Sequence, residues 1–309
     1  MGAGALGSLL GGLLARGGHD VHLVGREDHA SAVAGAGLRI DGEVEATVRP
    51  SASTTPRDAD VTLVTVKTFD TADAAEAIQG HQDVVVSVQN GMGNESTLAA
   101  ALDCTVLAGT ATYGARLEEP GRVRCTGLGE LAVGAPRGGP SGTADRFVDA
   151  VGGAVDARSS DAMPRELWRK LAVNAGINPV TALTGLRNGE AAVRAGGVMR
   201  AAAVEVAAVA ADEDVDAGTP EELADEALRV ARATADNRSS MLEDVAAGRR
   251  TEIDAINGHV VTVADGSVPT NRALAGLVRA VSMDGGSDAG GGGPDGGLRG
   301  GADTGGGAA

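Results

Sequence analysis

The chain has 309 residues, 43% of them hydrophobic but with only two Phe, one Tyr and one Trp, so two domain cores are affordable in length and must be built from Ala, Val and Leu. Its 42 acidic residues outnumber 26 basic ones for a formal net charge of −16. That charge is scattered along the chain; it makes an acidic surface that repels nucleic acid and anionic membrane and argues against both as partners.

In chain order, a helical pattern over Leu6–Ala15 precedes a compact strand at Val21–Val24. Further strands read at Val61–Val66 and Val84–Val88, with a helix at Thr71–Ile78 between them. These runs are nearly all apolar, as strands covered on both faces must be. The alternation is the βαβ signature of a Rossmann-like, doubly wound parallel sheet. Gly109–Gly134 changes to short strands punctuated by Pro120-Gly121, which predicts an antiparallel extension. From Arg165 the β signals stop, and helices are expected at Arg165–Ile177, Gly189–Asp212, Pro220–Ala247 and Thr251–Ala264. Thr219-Pro220-Glu221-Glu222 is a helix start, with a Thr cap, Pro in the first turn and acids at the positive end.

The expected organisation is a Rossmann-like NADP-binding domain over 1–160 and an all-helical substrate and catalytic domain over 161–283. A tail over 284–309 follows, with 13 glycines from Gly285 on and no periodicity; its composition predicts disorder. Cys104 and Cys125 are too few for a disulfide framework and lack metal-ligand spacing, so no metal is expected. The apolar stretch Ala201–Ala211 is interrupted by Glu205 and spans no membrane. The start Met1-Gly2-Ala3-Gly4 has no basic segment ahead of its apolar residues, which makes the cytoplasm the expected compartment. Acidic composition with almost no Lys predicts adaptation to high salt, where screening relieves self-repulsion. A homodimer is an assembly the sequence leaves open.

Gly2, Gly4 and Gly7 have dinucleotide-fingerprint spacing: the first permits a tight turn, the second a close pyrophosphate, the third close helix packing. At the ribose position, 19 residues after Gly7, stands Arg26 where NAD enzymes place an acid, which favours the 2′-phosphate of NADP. A solvated loop residue beside Glu27 is the competing reading. The fingerprint ordinarily follows a strand, yet only Met1 precedes Gly2. The first strand is therefore expected to be missing, as from a start assigned too late or a truncated, unstable product.

Glu166, Lys170, Asn174 and Asn178 recur every four residues and form one polar helical stripe. A solvated face with a Glu166–Lys170 pair is the bland alternative. Against it, Asn is a poor residue for an exposed helix face. The chain also uses 24 Arg but only two Lys, so an incidental cation would be Arg. Lys can surrender a proton when burial lowers its pKa, and Arg cannot. Ketone reduction needs such an acid at the carbonyl oxygen, and uncharged donors such as Asn amides beside it.

The run Glu166–Pro179, with Asn188-Gly189-Glu190, Ser239–Asp244 and Thr251–Gly258, closely resembles the ketopantoate reductase (2-dehydropantoate 2-reductase) family. Gly2–Gly7, Val66-Lys67 and Gln89–Gly93 match it as well, in family order, so the resemblance covers roughly residues 2–283. It implies reduction of 2-dehydropantoate to pantoate with NADPH, on the way to pantothenate and coenzyme A. It further implies Lys170 as general acid and Glu252 as acceptor for the substrate hydroxyl and orienter of Lys170. Asn174, Asn178 and Ser240 would hold the keto acid, with Asn188 supporting the pocket. Lys67 and Asn90 would line the nicotinamide side, and Arg26 would meet the 2′-phosphate.

Plain structural readings stand beside these. Glu252 after Thr251 suits the first turn of a capped helix. Asn90-Gly91 and Asn188-Gly189 suit turns, and Ser240 an ordinary helix. Reduction of another branched 2-keto acid, or a non-catalytic NADP-binding role, remain the alternatives; Lys170 and Glu252 together disfavour the latter.

Overall fold

A computed structural model describes residues 1–282; the glycine-rich tail from Gly285 lies outside the described residues. The first half alternates as read: α1 (Ala5–Arg16), β1 (His22–Val24), α2 (Glu27–Ala36), β2 (Leu38–Gly42), β3 (Ala46–Val48), β4 (Ser51–Ser53) and β5 (Ala59–Val64). Then come α3 (Thr71–Ile78), β6 (Gln82–Ser87), α4 (Asn94–Ala101), β7 (Thr105–Ala111), β8 (Gly114–Glu119), β9 (Arg122–Gly127), β10 (Leu131–Gly134), α5 (Gly142–Val151) and β11 (Ala157–Ser159).

The central sheet has the order β11-β10-β7-β6-β5, parallel through β5, β6 and β7. Val85 and Val86 of β6 are fully buried, as a strand covered on both faces requires. β1 pairs with β4 as a separate parallel ribbon. Met1–Ala3 lie between the two: the Met1 amine donates to the Leu63 carbonyl at 2.7 Å, Thr65 N–H donates to the Met1 carbonyl at 2.9 Å, and Ala3 N–H donates to Val24 at 2.8 Å. No strand precedes α1 among the described residues. The predicted antiparallel extension is divided. β10 pairs antiparallel with β7, whereas the β8–β9 hairpin joins a second sheet, β3-β2-β9-β8, in which β9 runs parallel to β2. The β8–β9 pairing is irregular in register at Gly114/Ala115 and Leu117/Glu119.

From Met163 the chain is helical: α6 (Met163–Thr184), α7 (Asn188–Arg194), α8 (Gly196–Asp212), α9 (Pro220–Ala233), α10 (Ser240–Ala246), α11 (Asn257–Val263) and α12 (Pro269–Val281). Small buried residues (Ala172, Ala175, Ala203, Ala207, Ala224, Ala227) let α6, α8 and α9 pack closely without aromatic bulk. Several expected boundaries are corrected. α6 runs past Ile177 and through Pro179. Proline has no N–H for the carbonyl of Ala175, four residues back, and that carbonyl accepts from the Asn257 amide at 3.1 Å instead. The orphaned acceptor is thus satisfied from α11, and the helix survives its proline.

The long Gly189–Asp212 helix breaks at Ala195 into α7 and α8. Pro220–Ala247 breaks into α9 and α10, the former with the predicted capping box of Thr219 and Glu222. The helix expected from Thr251 begins only at Asn257, because residues 251–256 form a turn whose Glu252 reaches toward β5. α12 was not anticipated, although Pro269 and the spacing of Leu274, Ala275 and Val278 mark it. No helix among the described residues is long and apolar enough to cross a membrane.

Candidate active site

The three glycines do different physical work. Gly2 has φ +92°, and a Cβ there would lie 2.7 Å from both the nitrogen and Cγ1 of Val66. A Cβ on Gly7 would fall 2.4 Å from the Gly2 carbonyl oxygen and from Thr65 Oγ1. Gly4 faces open space, its nearest neighbour being 4.0 Å from such a Cβ. Gly4 is also the N-cap of α1 and supplies no side-chain cap, so the first amides of α1 are left for an anion. Arg26 is the N-cap residue of α2, exposed and without an ion pair among the described residues; the neighbouring Glu27 is engaged by Ser31 Oγ at 2.7 Å.

Lys170 lies midway along α6. The proposed Glu166–Lys170 pair does not form: Glu166 accepts from Arg158 Nη2 at 2.9 Å, and Lys170 makes no ion pair among the described residues. Burial draws its pKa down to about 8, partly opposed by the charges of Glu252 and Glu95. The amine is therefore a proton donor near neutrality. Glu95, at the start of α4, is a group the sequence reading missed; burial raises its own pKa.

Glu252 is buried and held from the opposite domain. It accepts from Thr68 N–H at 3.1 Å and Lys67 Nζ at 3.1 Å. Lys67 also donates to Asp244 Oδ2 at 2.7 Å, and Asp244 takes Arg249 Nε at 3.0 Å on its other oxygen. Burial pulls the Lys67 pKa down, but the charges and hydrogen bonds of Glu252 and Asp244 outweigh it and the pKa is raised. The Lys67 ammonium is engaged by two carboxylates and ties the end of β5 to the 244–252 segment. Thr251 caps nothing: its buried hydroxyl has no partner among the described residues.

Two family models match the chain: ketopantoate reductase PanE/ApbA over residues 1–138, and ketopantoate reductase PanE/ApbA C terminal over residues 162–282. The chain belongs to the ketopantoate reductase family. Among relatives in this family, the 2-dehydropantoate 2-reductase of Halobacterium salinarum is 40% identical over 300 residues, covering 92% of this chain and 98% of that protein. That of Archaeoglobus fulgidus is 39% identical over 290 residues, covering 91% and 96%. A PanE/ApbA family ketopantoate reductase from Ralstonia eutropha JMP134 superposes with a TM-score of 0.83 at 36% identity, covering 91% of this chain and 97% of that one.

The remaining residues singled out by ketopantoate reductase resemblance fall unevenly around Lys170. Asn174 and Asn178 follow it on α6, the first partly and the second almost fully buried. Ser239 caps α10 and meets Thr181 of α6 at 2.7 Å, which sets the exposed Ser240 one residue beyond that junction. Asn90 holds its turn through its carbonyl, which accepts from Thr68 Oγ1 at 2.8 Å and Asn94 Nδ2 at 3.0 Å. The adjoining Gly91 is forced by contact: φ is +76°, and a Cβ would sit 2.6 Å from Ala255 Cβ. The Asn188 side chain donates to Thr234 at 2.9 Å and braces the end of α9.

Proposed function

We propose that the chain reduces 2-dehydropantoate to (R)-pantoate with NADPH, a step toward pantothenate and coenzyme A. The observation that carries this reading is Lys170: an amine unpaired among the described residues, with its pKa drawn to about 8 by burial, in the electrostatic reach of Glu252. The relatives' activity supports the choice of substrate, since both the Halobacterium and Archaeoglobus proteins are 2-dehydropantoate 2-reductases.

The residues present fit a dinucleotide. Open space at Gly4, the uncapped start of α1 and the unpaired Arg26 suit pyrophosphate and 2′-phosphate, and Arg26 favours NADPH over NADH. When bound, the nicotinamide supplies hydride to the ketone carbon. Lys170 then delivers its proton to the carbonyl oxygen, and the Asn174 and Asn178 amides donate to that oxygen or to the carboxylate without adding charge. Glu252, fixed by Lys67 and Thr68, is left to orient Lys170 and accept from the substrate hydroxyl.

The test is NADPH oxidation on addition of 2-dehydropantoate, followed across pH. A donor with a pKa near 8 is protonated below that value, so kcat/KM should hold at neutral pH and fall as pH rises through about 8. Absence of turnover with this keto acid, or a profile flat through that range, would refute the reading.

A further inference from the structure

Around Lys170 the charges divide into a closed set and a remainder. Lys67 and Arg249 hold the carboxylates of Glu252 and Asp244 through contacts of 2.7, 3.0 and 3.1 Å, two cations against two anions. That network is neutral within itself. The charged neighbours of Lys170 on α6 are engaged elsewhere, Glu166 by Arg158 and Arg169 by Glu226. His259 packs on Trp168 from α11, and burial lowers its pKa and favours the neutral ring. What remains is one ammonium, Lys170, and one carboxylate, Glu95. Neither makes an ion pair among the described residues, and Lys170 is the cation whose charge reaches Glu95.

The packing brings these two toward each other. Glu95 is the second residue of α4, and its carboxyl lies beside Ser87 at the end of β6. Met92, three positions earlier, packs with Ala108 of β7 and with Met163 and Leu167 of α6. Lys170 follows Leu167 by three positions and so lies on the side that α6 turns toward this segment. Met92 N–H also donates to the Ala255 carbonyl at 3.1 Å, within the 251–256 turn that carries Glu252. Glu95 and Glu252 therefore approach one amine from different domains, and neither touches it. Both Lys170 and Glu95 are half-buried, which leaves them open to the cleft.

The two carboxylates are not equivalent. Glu252 shares its charge with Lys67, whereas Glu95 has Lys170 alone. Burial raises the Glu95 pKa and lowers that of Lys170, each against its own charge, and the opposite charge across the cleft counters both.

We propose that Glu95 is the charge partner of Lys170, a positioning residue that keeps the ammonium protonated and turned to the substrate carbonyl. The proposal rests on the reading of Lys170 as general acid. Once Lys170 has given its proton to the carbonyl oxygen, the neutral amine leaves Glu95 unbalanced, and that charge draws a proton from solvent back to Nζ.

The test is Glu95→Gln, which keeps the shape and removes the charge, with Glu95→Asp as the conservative variant. Two readouts are followed in each protein. One is the pH profile of kcat/KM with NADPH and 2-dehydropantoate. The other is the pH at which Lys170 begins to react with an acylating reagent without substrate, read by peptide mass spectrometry. With Gln the high-pH fall in kcat/KM should begin about one pH unit lower, a loss of about tenfold near pH 9 that shrinks toward about pH 6. Acylation of Lys170 should begin earlier by the same amount, and Asp should restore most of both shifts. A loss equal at every pH would mark a purely structural role and overturn the proposal. So would an acylation onset in the Gln variant that matches the parent's, even where the parent shows its fall through about pH 8. If the onset moves while the parent's kcat/KM shows no such fall, Glu95 stands as the partner of Lys170, and it is the role of Lys170 as acid that fails.

Discussion

The two sides of the candidate site are built from different materials. Around Gly2, Gly4 and Gly7 the working parts are backbone: a positive φ, a Cβ that has no room and another that has, and the free amides of α1. Around Lys170 they are side chains carried on α6 and the 244–252 segment, several with their own charge partners. A backbone site tolerates almost any neighbouring side chain but no added atom at the wrong glycine. The side-chain site is the reverse: the scaffold accepts substitution, and the chemistry does not.

Five substitutions would break or sharpen that contrast. Lys170→Ala removes the proton donor and should lower kcat by about 10²–10⁴ while NADPH affinity, read by fluorescence titration, stays within a few-fold. Near-normal turnover would remove Lys170 from the chemistry. Gly7→Ala drives a methyl into the Gly2 carbonyl and should cost about 1–3 kcal/mol in urea unfolding along with cofactor binding, whereas Gly4→Ala should leave stability alone and weaken only NADPH. If the two alanines behave alike, the division of labour among the glycines is wrong. Asp244→Asn leaves Lys67 with Glu252 alone; because Lys67 is about a third exposed, a loss of only about 1–2 kcal/mol is expected in the same unfolding assay. Arg26→Ala should be the mildest, weakening NADPH about tenfold and NADH hardly at all. Equal loss for both cofactors would count against 2′-phosphate recognition.

The contrast also explains what could be read in advance. Glycine spacing and the apolar strands are local patterns, so the parallel sheet and the fingerprint stood out in the sequence. The stripe Glu166, Lys170, Asn174 and Asn178 is local too, and it correctly lies on one helix. The Lys67–Asp244 contact could not be read because the two lie 177 positions apart, and no periodicity reports a contact at that range. The helix expected to stop at Ile177 continues through Pro179 because the distant Asn257 amide satisfies the carbonyl that the proline leaves without a donor. Glu252 was given a helix start because Thr251 looks like a cap, and the tertiary pull of Lys67 and Thr68 overrode that preference. Glu95 had no signal at all, since its significance rests on burial and the nearness of Lys170.

The scarcity of lysine has a practical edge for acylating reagents. Among the described residues the chain offers three primary amines: Lys67, Lys170 and the Met1 terminus. Lys67 is held charged by two carboxylates and is a poor nucleophile, while the Met1 amine, its pKa lowered to about 5 by burial, is already neutral at pH 8. Lys170 alone loses its proton near pH 8. An amine-directed label followed through about pH 8 would single out Lys170 as the amine whose reaction rises there, and protection at that atom would report occupancy of the site.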